Sequence, residues 1–339
     1  MPSFTFIDLF AGIGGMRQAA EENGGTCVFS SEINREAAGT YEANFGERPY
    51  GDITKIDESD IPEHDVIFGG FPCQPFSICG FKRGFDDARG TLFFDILRIA
   101  KAKRPSCLVL ENVKHFASHD RGNTLGVVVA ALEEIGYSVS VEVINAVDFG
   151  LPQNRDRTII VASRIGTFDF SKLVTSERLT VSSVLETEGP FEYVDPAEYT
   201  LLRDDIVKVQ KQSGLRFVGY RNRNLRKVGV REGTEHLSRV HKQPNRIYCA
   251  TAAHPTLAAG ESSGRYWILV DGVVRKLTQR ECYRLQGFPD SFKISASATA
   301  AYRQIGNSVP VPMIAEVVRA ARAQGLITIP ADTEALLAA

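Results

Sequence analysis

Apolar residues in the first half of the chain gather in short runs, and the runs alternate with stretches of helical spacing. Strand-like runs of β-branched and aromatic residues fall at 4–10, 26–31, 65–68, 106–110, 137–145 and 158–163. Helical patterns lie between them at about 16–22, 35–44, 92–101 and 124–135. Strands that alternate with helices predict an α/β fold around a mostly parallel sheet. The alternation stops near residues 170–187. Roughly 90 irregular, basic residues rich in Gly, Asn, Arg and Ser follow, which predicts a smaller, mostly β or irregular second domain. Helical order resumes at 278–285. Gly306-Asn307-Ser308-Val309-Pro310 then opens an apolar helix to about Arg322, since Asn or Ser followed by Pro is a helix start.

The most constrained break follows Asp65-Val66-Ile67-Phe68. It reads Gly69-Gly70-Phe71-Pro72-Cys73-Gln74-Pro75-Phe76-Ser77. Two glycines and two prolines force the chain out of the strand. Pro72 fixes its own φ and biases Phe71 toward extended conformations. Cys73 is therefore expected on a stiff loop past the carboxyl end of a strand, the edge where open α/β sheets bind ligands. A free cysteine is as often a small buried hydrophobe, so this stretch alone leaves both readings open. The loop runs on through Gly80, Gly84 and Gly90 with Lys82, Arg83 and Arg89. About twenty residues without a helix or strand pattern is long for a compact domain and points to a binding loop or lid.

Further candidate chemistry is expected at the same edge. Ala11-Gly12-Ile13-Gly14-Gly15 joins the first strand to the first helix, the opening of a nucleotide-binding unit. The third glycine of the dinucleotide fingerprint is missing, so NAD is disfavoured. Glu32, after the second strand, can accept from ribose hydroxyls or serve as a helix N-terminal acid. Asp52 can meet an adenine amino group or act as an N-cap. Glu111-Asn112-Val113 ends another strand. In Gln153-Asn154-Arg155-Asp156-Arg157 the arginines alternate at strand spacing, so both are expected to point the same way.

Composition narrows the classes. With 339 residues, 43% hydrophobic and 24% charged, the chain can fill one large domain or two modest ones. No apolar run approaches the roughly 18 residues of a membrane span. The first strand starts without a basic lead-in, so no signal peptide is expected. The six cysteines (27, 73, 79, 107, 249 and 282) show neither metal spacing nor a disulfide framework, which points to a reducing, cytoplasmic setting. The net charge of −2 hides an asymmetry. Residues 1–70 carry 4 Lys/Arg and 13 Asp/Glu, a net −9, while residues 200–250 carry 12 and 4, a net +8. Interleaved Arg, Asn, Gln and aromatics at 219–227 and 241–248 suit groove reading of a nucleic acid.

Six segments in this order resemble the DNA (cytosine-5) methyltransferases: Phe6–Gly15, Gly70-Phe-Pro-Cys-Gln74, Glu111-Asn-Val113, Gln153-x-Arg-x-Arg157, Arg280–Pro289 and Gly306-Asn-Ser-Val309. The compact layout is most similar to small bacterial restriction–modification enzymes of the HhaI type. The resemblance implies a Rossmann-like class I S-adenosylmethionine-dependent sheet with a smaller target-recognition domain. Catalytic and cofactor functions would occupy 1–178, completed by 300–339. Target recognition would occupy 179–275, with a hinge at 276–299.

The resemblance also implies the chemistry. The Cys73 thiolate would attack C6 of a flipped-out cytosine, making C5 nucleophilic. Glu111, protonated, would donate to N3, Arg157 would hold O2, and Arg155 would support the loop or a nearby acid. S-adenosylmethionine would rest on Phe10, Gly12, Ile13, Gly14 and Gly15. Glu32 would take its ribose, and Ile33, Asp52 and Ile53 its adenine. Pro72, Leu92, Asn307, Ser308 and Val309 would line the rest, and no metal is called for. Gln74, Ser77, Lys82, Arg83 and Arg89 from the long loop would meet duplex DNA. So would Arg221, Arg223, Arg226, Arg239, Lys242 and Arg246 from the basic segment. Arg280 and Glu281 would form a buried pair. Ile33 stands where many relatives carry a larger aromatic, and Cys79 has no assigned role. A monomer is expected, compatible with a restriction endonuclease that shares the site without needing to bind. An RNA cytosine-5 methyltransferase and a non-catalytic nucleic-acid-binding protein are the rival readings. The basic segment and Phe-Pro-Cys-Gln favour DNA over the first. The full catalytic set weighs against the second.

Overall fold

A computed structural model describes residues 4–72, 92–222, 233–234 and 236–327. The chain forms two compact units, Met1–Asn145 with Asp156–Val174 and Val311–Ala339, and Ala146–Arg155 with Thr175–Pro310.

The described strands of the first unit are β1 (Phe4–Leu9), β2 (Gly25–Ser31), β3 (Val66–Gly70), β4 (Cys107–Val113), β5 (Ser138–Asn145) and β7 (Asp156–Ser163), while β6 (Gln153–Asn154) falls in the second unit. The first unit's helices are α1 (Gly15–Glu22), α2 (Arg35–Phe45), α3 (Leu92–Lys103), α4 (Lys114–Ser118) and α5 (Asn123–Glu134). The sheet runs β2-β1-β3-β4-β7-β5; β1 to β4 are parallel, and β7 is antiparallel to both its neighbours. The order reverses at β1, which makes the crevice between β1 and β3 the topological switch point where such sheets bind ligands. Because β7 is antiparallel, its first residues lie at the edge where β1, β3 and β4 end.

The inner strands β1, β3, β4 and β7 form because their residues are apolar on both faces, as a covered sheet requires, whereas the edge strand β5 alternates. Ile7, Leu9, Ile67, Leu108 and Leu110 join Ile96 and Leu132 from α3 and α5 in one core cluster. Phe6 meets Phe68 edge-on, with ring centroids 5.3 Å apart. The helix after 310 begins at Val311, not at 306: α7 (Ala298–Asn307), which periodicity missed, ends there, and α8 (Val311–Ala323) follows. In the first unit α8 packs on α1. Asn23 Nδ2 donates to Ala315 O at 3.0 Å, and Arg322 bonds Asn23 O.

The second unit carries β8 (Tyr199–Leu201), β9 (Phe217–Arg221), β10 (Arg246–Cys249), β11 (His254–Pro255), β12 (Trp267–Val270) and β13 (Val273–Lys276), with helices α6 (Gln279–Leu285) and α7. Its larger sheet runs β13-β12-β10-β9-β8, and β6 pairs with β11. The expected pair of Arg280 with Glu281 is corrected. Glu281 is buried against Arg275 (2.6 Å) and completes the capping box of Thr278, whereas Arg280 donates to the Phe292 carbonyl at 2.8 Å. Adjacent helical residues do not face one another, so a residue at another spacing supplied the counter-charge.

Candidate active site

The first unit gathers its chemistry at the carboxyl edge of the sheet. Strand β3 ends at Gly70, register-paired with Glu111 of β4. A methyl group on Gly70 would come 3.4 Å from Glu111 Oε2, so the carboxylate lies directly beside the end of β3. Arg157, at the start of β7, brings its Nε to 2.6 Å from Glu111 Oε1, with both side chains largely buried. The contact lies off the Nε–H axis, since Nε makes no hydrogen bond, while Nη1 donates to the Asp156 carbonyl at 2.7 Å. Asn112 Nδ2 donates to the Phe71 carbonyl at 2.9 Å and so fixes the chain one residue before Pro72. The sequence marked Asn112 only as part of a polar triplet; its bond to a backbone carbonyl 41 positions away belongs to the fold. Pro72 is exposed, and Leu92, at the start of α3, is half-buried. Cys73, Gln74, Ser77, Lys82, Arg83, Arg89, Arg223 and Arg226 lie outside the described residues, as does the lid expected at 74–90.

The glycine turn after β1 shows the backbone strain that functional turns store. Phe10, a non-glycine residue, takes φ 57°, and Gly12 and Gly14 take φ 57° and 90°. A side chain on Gly14 would overlap the Phe45 ring, so glycine is required there twice over. Glu32 braces the turn: Oε2 accepts from the Gly12 amide at 2.8 Å, and Oε1 accepts from the Asn34 amide at 2.6 Å. Asn34, not Glu32, caps α2. Asp52 does cap a short turn, accepting from the Thr54 amide and hydroxyl at 3.1 and 2.7 Å, and the hydroxyl first holds its carboxyl below the ordinary range. Ile13 and Ile53 are core residues, and Gly15 is the buried first residue of α1. Ile33 is exposed.

Asp8 received no role from sequence and stands out. It is fully buried on β1, and neither carboxylate oxygen has a hydrogen-bond partner among the described residues. Burial pushes its carboxyl up to about 8, with the Arg17 charge opposing the rise and Glu32 adding to it.

Of two expected roles, that of Arg221 is corrected, and the loop that Arg155 was expected to support lies outside the described residues. Arg155 has other described partners than Arg157. It is almost wholly buried in the second unit and donates to the carbonyls of Leu257 (2.9 Å), Gly306 (2.9 Å) and Ser308 (2.6 Å). Arg155 sits between β6 and β7. With Gln153, which donates to Leu285 O, and Gln286, which donates to Ile305 O, it forms a latch holding the turn of Asn307 and Ser308. Arg221, expected on DNA, is buried, pairs with Glu198 at 2.5 Å and lies over the Trp267 ring at 4.5 Å. Its charge is already matched. Arg246 turns inward to the His241 carbonyl (3.0 and 2.9 Å), whereas Arg239 and Lys242 are exposed. Asn307 is exposed, Ser308 half-buried and Val309 buried, all in the second unit.

No group of metal-ligating side chains occurs among the described residues, and no described helix is long and apolar enough to cross a membrane.

Comparison with known proteins gives the family. Residues 4–322 match the C-5 cytosine-specific DNA methylase family. The chain is 42% identical over 325 residues to the Type II methyltransferase M.HhaI of Haemophilus parahaemolyticus, covering 93% of each chain. It is 42% identical over 315 residues to M.HaeII of Haemophilus aegyptius, covering 93% of this chain and 91% of the relative. Among solved structures, the S. pombe Dnmt2 methyltransferase shares the fold with a TM-score of 0.67 at 18% identity, covering 95% of this chain and 99% of that one. The match takes in the glycine turn, the Glu111–Arg157 edge and the sheet of the second unit alike, and the chain therefore belongs to the C-5 cytosine-specific DNA methylase family.

Proposed function

We propose that this protein transfers a methyl group from S-adenosylmethionine to C5 of a cytosine in duplex DNA, through transient attachment of Cys73 to C6. The observation that carries the reading is the Glu111–Arg157 pair at the sheet edge where the chain runs, through Phe71 and Pro72, toward Cys73.

The Cys73 thiolate adds to C6, and the C5–C6 double bond gives up its electrons toward N3. Glu111, protonated, delivers a proton to N3, so the adduct is a neutral enamine nucleophilic at C5. The Arg157 guanidinium sits beside Glu111, placed to stabilise charge on the neighbouring O2. S-adenosylmethionine, when bound, supplies an electrophilic methyl group. After methylation C5 loses its proton, the C6–S bond breaks, and the thiolate is restored. A stacked cytosine hides C6, so the base leaves the helix first.

The fit of the donor rests on the residues of the first unit. The strained glycine turn keeps Phe10 and Gly12 half-buried, and Glu32, braced by the Gly12 and Asn34 amides, offers its remaining lone pairs to a ribose diol. Asp52, whose Oδ1 caps the turn at Thr54, is assigned the exocyclic amine through Oδ2. The enzyme's role is that of the protective methylase of a restriction–modification system, acting as a monomer. Exposed Arg239 and Lys242 are assigned to DNA.

The test is tritiated methyl transfer to duplex DNA and to tRNA side by side, with trapping on DNA that carries 5-fluorocytosine. Transfer to DNA with a stable protein–DNA adduct is expected. Background transfer to DNA alongside activity on tRNA would replace the substrate class, and turnover without a trappable adduct would remove Cys73 attack.

A further inference from the structure

Tyr50 lies outside the residues assigned to the cofactor and yet is built into its edge. Its amide donates to Ser30 O, and its carbonyl accepts from the Glu32 amide, both at 2.8 Å. Tyr50 thus pairs in parallel with Ser31, and pairing puts the two side chains on one face of the sheet. Phe29, two residues before Ser31, shares that face and is buried. The Tyr50 ring stacks on the Phe29 ring, with centroids 4.8 Å apart and planes 14° from parallel. Phe29 therefore supports one side of the ring, yet Tyr50 as a whole remains 62% exposed.

Its neighbours give the exposure a meaning. Glu32, bonded to the Tyr50 backbone, already ties the glycine turn in place. Ile33, the next residue, is 71% exposed and too small to cover a purine alone. Asp52 follows Tyr50 by two residues. A flat aromatic surface whose chain neighbours include Glu32 and Asp52 suits a ligand that is itself flat, with hydroxyls at one end and an amine at the other. A nucleoside has that form. A large aromatic left in water on a stacked, pre-oriented support loses little freedom when a base covers it.

We propose that Tyr50 supplies the aromatic surface on which the cofactor's adenine packs, with Ile33 as a secondary wall. This rests on the reading of the first unit as the S-adenosylmethionine site.

The test is binding of S-adenosylmethionine and S-adenosylhomocysteine to the full chain by calorimetry, with melting temperatures in parallel. Tyr50→Ala is expected to weaken both about tenfold, the size of one base–aromatic stack. In turnover, KM for the donor should rise by the same factor while kcat at saturation holds. Tyr50→Phe should bind as wild type. Adding Ile33→Trp to Tyr50→Ala should restore most of the affinity, because the aromatic returns on the adjoining residue. Unchanged affinity in Tyr50→Ala would overturn the proposal while leaving the cofactor reading intact. Lost affinity that Ile33→Trp does not restore would assign Tyr50 to the folding of β2 and overturn it as well. A wild-type protein that binds neither compound would overturn both.

Discussion

Arg157 reaches Glu111 diagonally across the antiparallel ladder of β4 and β7. Arg157 is register-paired with Val113 and Glu111 with Ile159, yet Nε and Oε1 stand 2.6 Å apart. The guanidinium therefore leans back along β4 toward Glu111. If the pair acts on the cytosine ring, Arg157→Ala should lower kcat by about a hundredfold or more while DNA affinity stays within a few-fold. Single-turnover methyl transfer and gel shift measure the two. Retained kcat would make the pair structural.

Asn112 acts through the backbone. Asn112→Ala removes the bond to the Phe71 carbonyl and should lower kcat about tenfold, the worth of one buried hydrogen bond, without changing donor affinity. Donor titration alongside kcat separates the two. Parallel loss of donor affinity would mean a wider disturbance of the edge.

Arg155 should behave as a structural residue. Arg155→Met strands three carbonyls and is expected to cost more than about 3 kcal/mol, read from the urea midpoint. Arg155→Lys should recover only part, because an ammonium lacks the planar fork. Per active site trapped on 5-fluorocytosine DNA, turnover should stay within a few-fold of wild type. A thousandfold loss with normal stability would return Arg155 to the catalytic set.

Two buried groups set the pH limits. Burial lowers the His254 pKa to about 4, so the folded protein binds fewer protons there than the unfolded chain; that stability is whole above 6.5 and lost as pH falls toward 4. Asp8 works the other way. Its folded pKa of about 8 exceeds the ordinary 3.8, so the folded protein holds a proton that the unfolded chain releases, and stability erodes as pH rises from 3.8 to 8. Melting curves should show Asp8→Asn flattening the alkaline slope and His254→Phe the acid one. Slopes unchanged by both substitutions would place the controlling groups elsewhere.

The basic segment should divide. Arg239→Ala and Lys242→Ala are expected to lower the salt slope of DNA binding by about 0.9 for each phosphate lost. Arg221→Ala should leave the slope alone and lower stability through Glu198 and Trp267. The opposite pattern would move the DNA face toward β9.

Much of this was legible in the chain. Apolar runs of strand length produced β1 to β4 within a few residues, since strands buried on both faces need unbroken hydrophobicity. The glycines of the first turn marked a nucleotide-binding opening, and helical patterns marked α2 and α6 within a residue of where they lie. These features are local. A few neighbouring residues create the physical demand and also meet it.

Partnership was not legible, because it depends on segments far apart in sequence. Alternation put Arg155 and Arg157 on one side. Folding sent Arg155 to three carbonyls around Leu257 and Gly306 and left Arg157 with Glu111. Residue type marked Arg221 as a DNA contact, but burial beside Glu198 and Trp267 neutralised it. Asp8 read as one polar residue in a strand, and only packing showed a carboxylate without a partner. Residue pattern alone determined the first unit's main elements, the glycine turn and the family, because those follow from side-chain periodicity and backbone chemistry, while α7 and the individual strands of the second unit did not show. Tertiary structure alone decided which charges are used up within the protein and which stay available, because a charge's role depends on the dielectric and the counter-charges that distant segments bring to it.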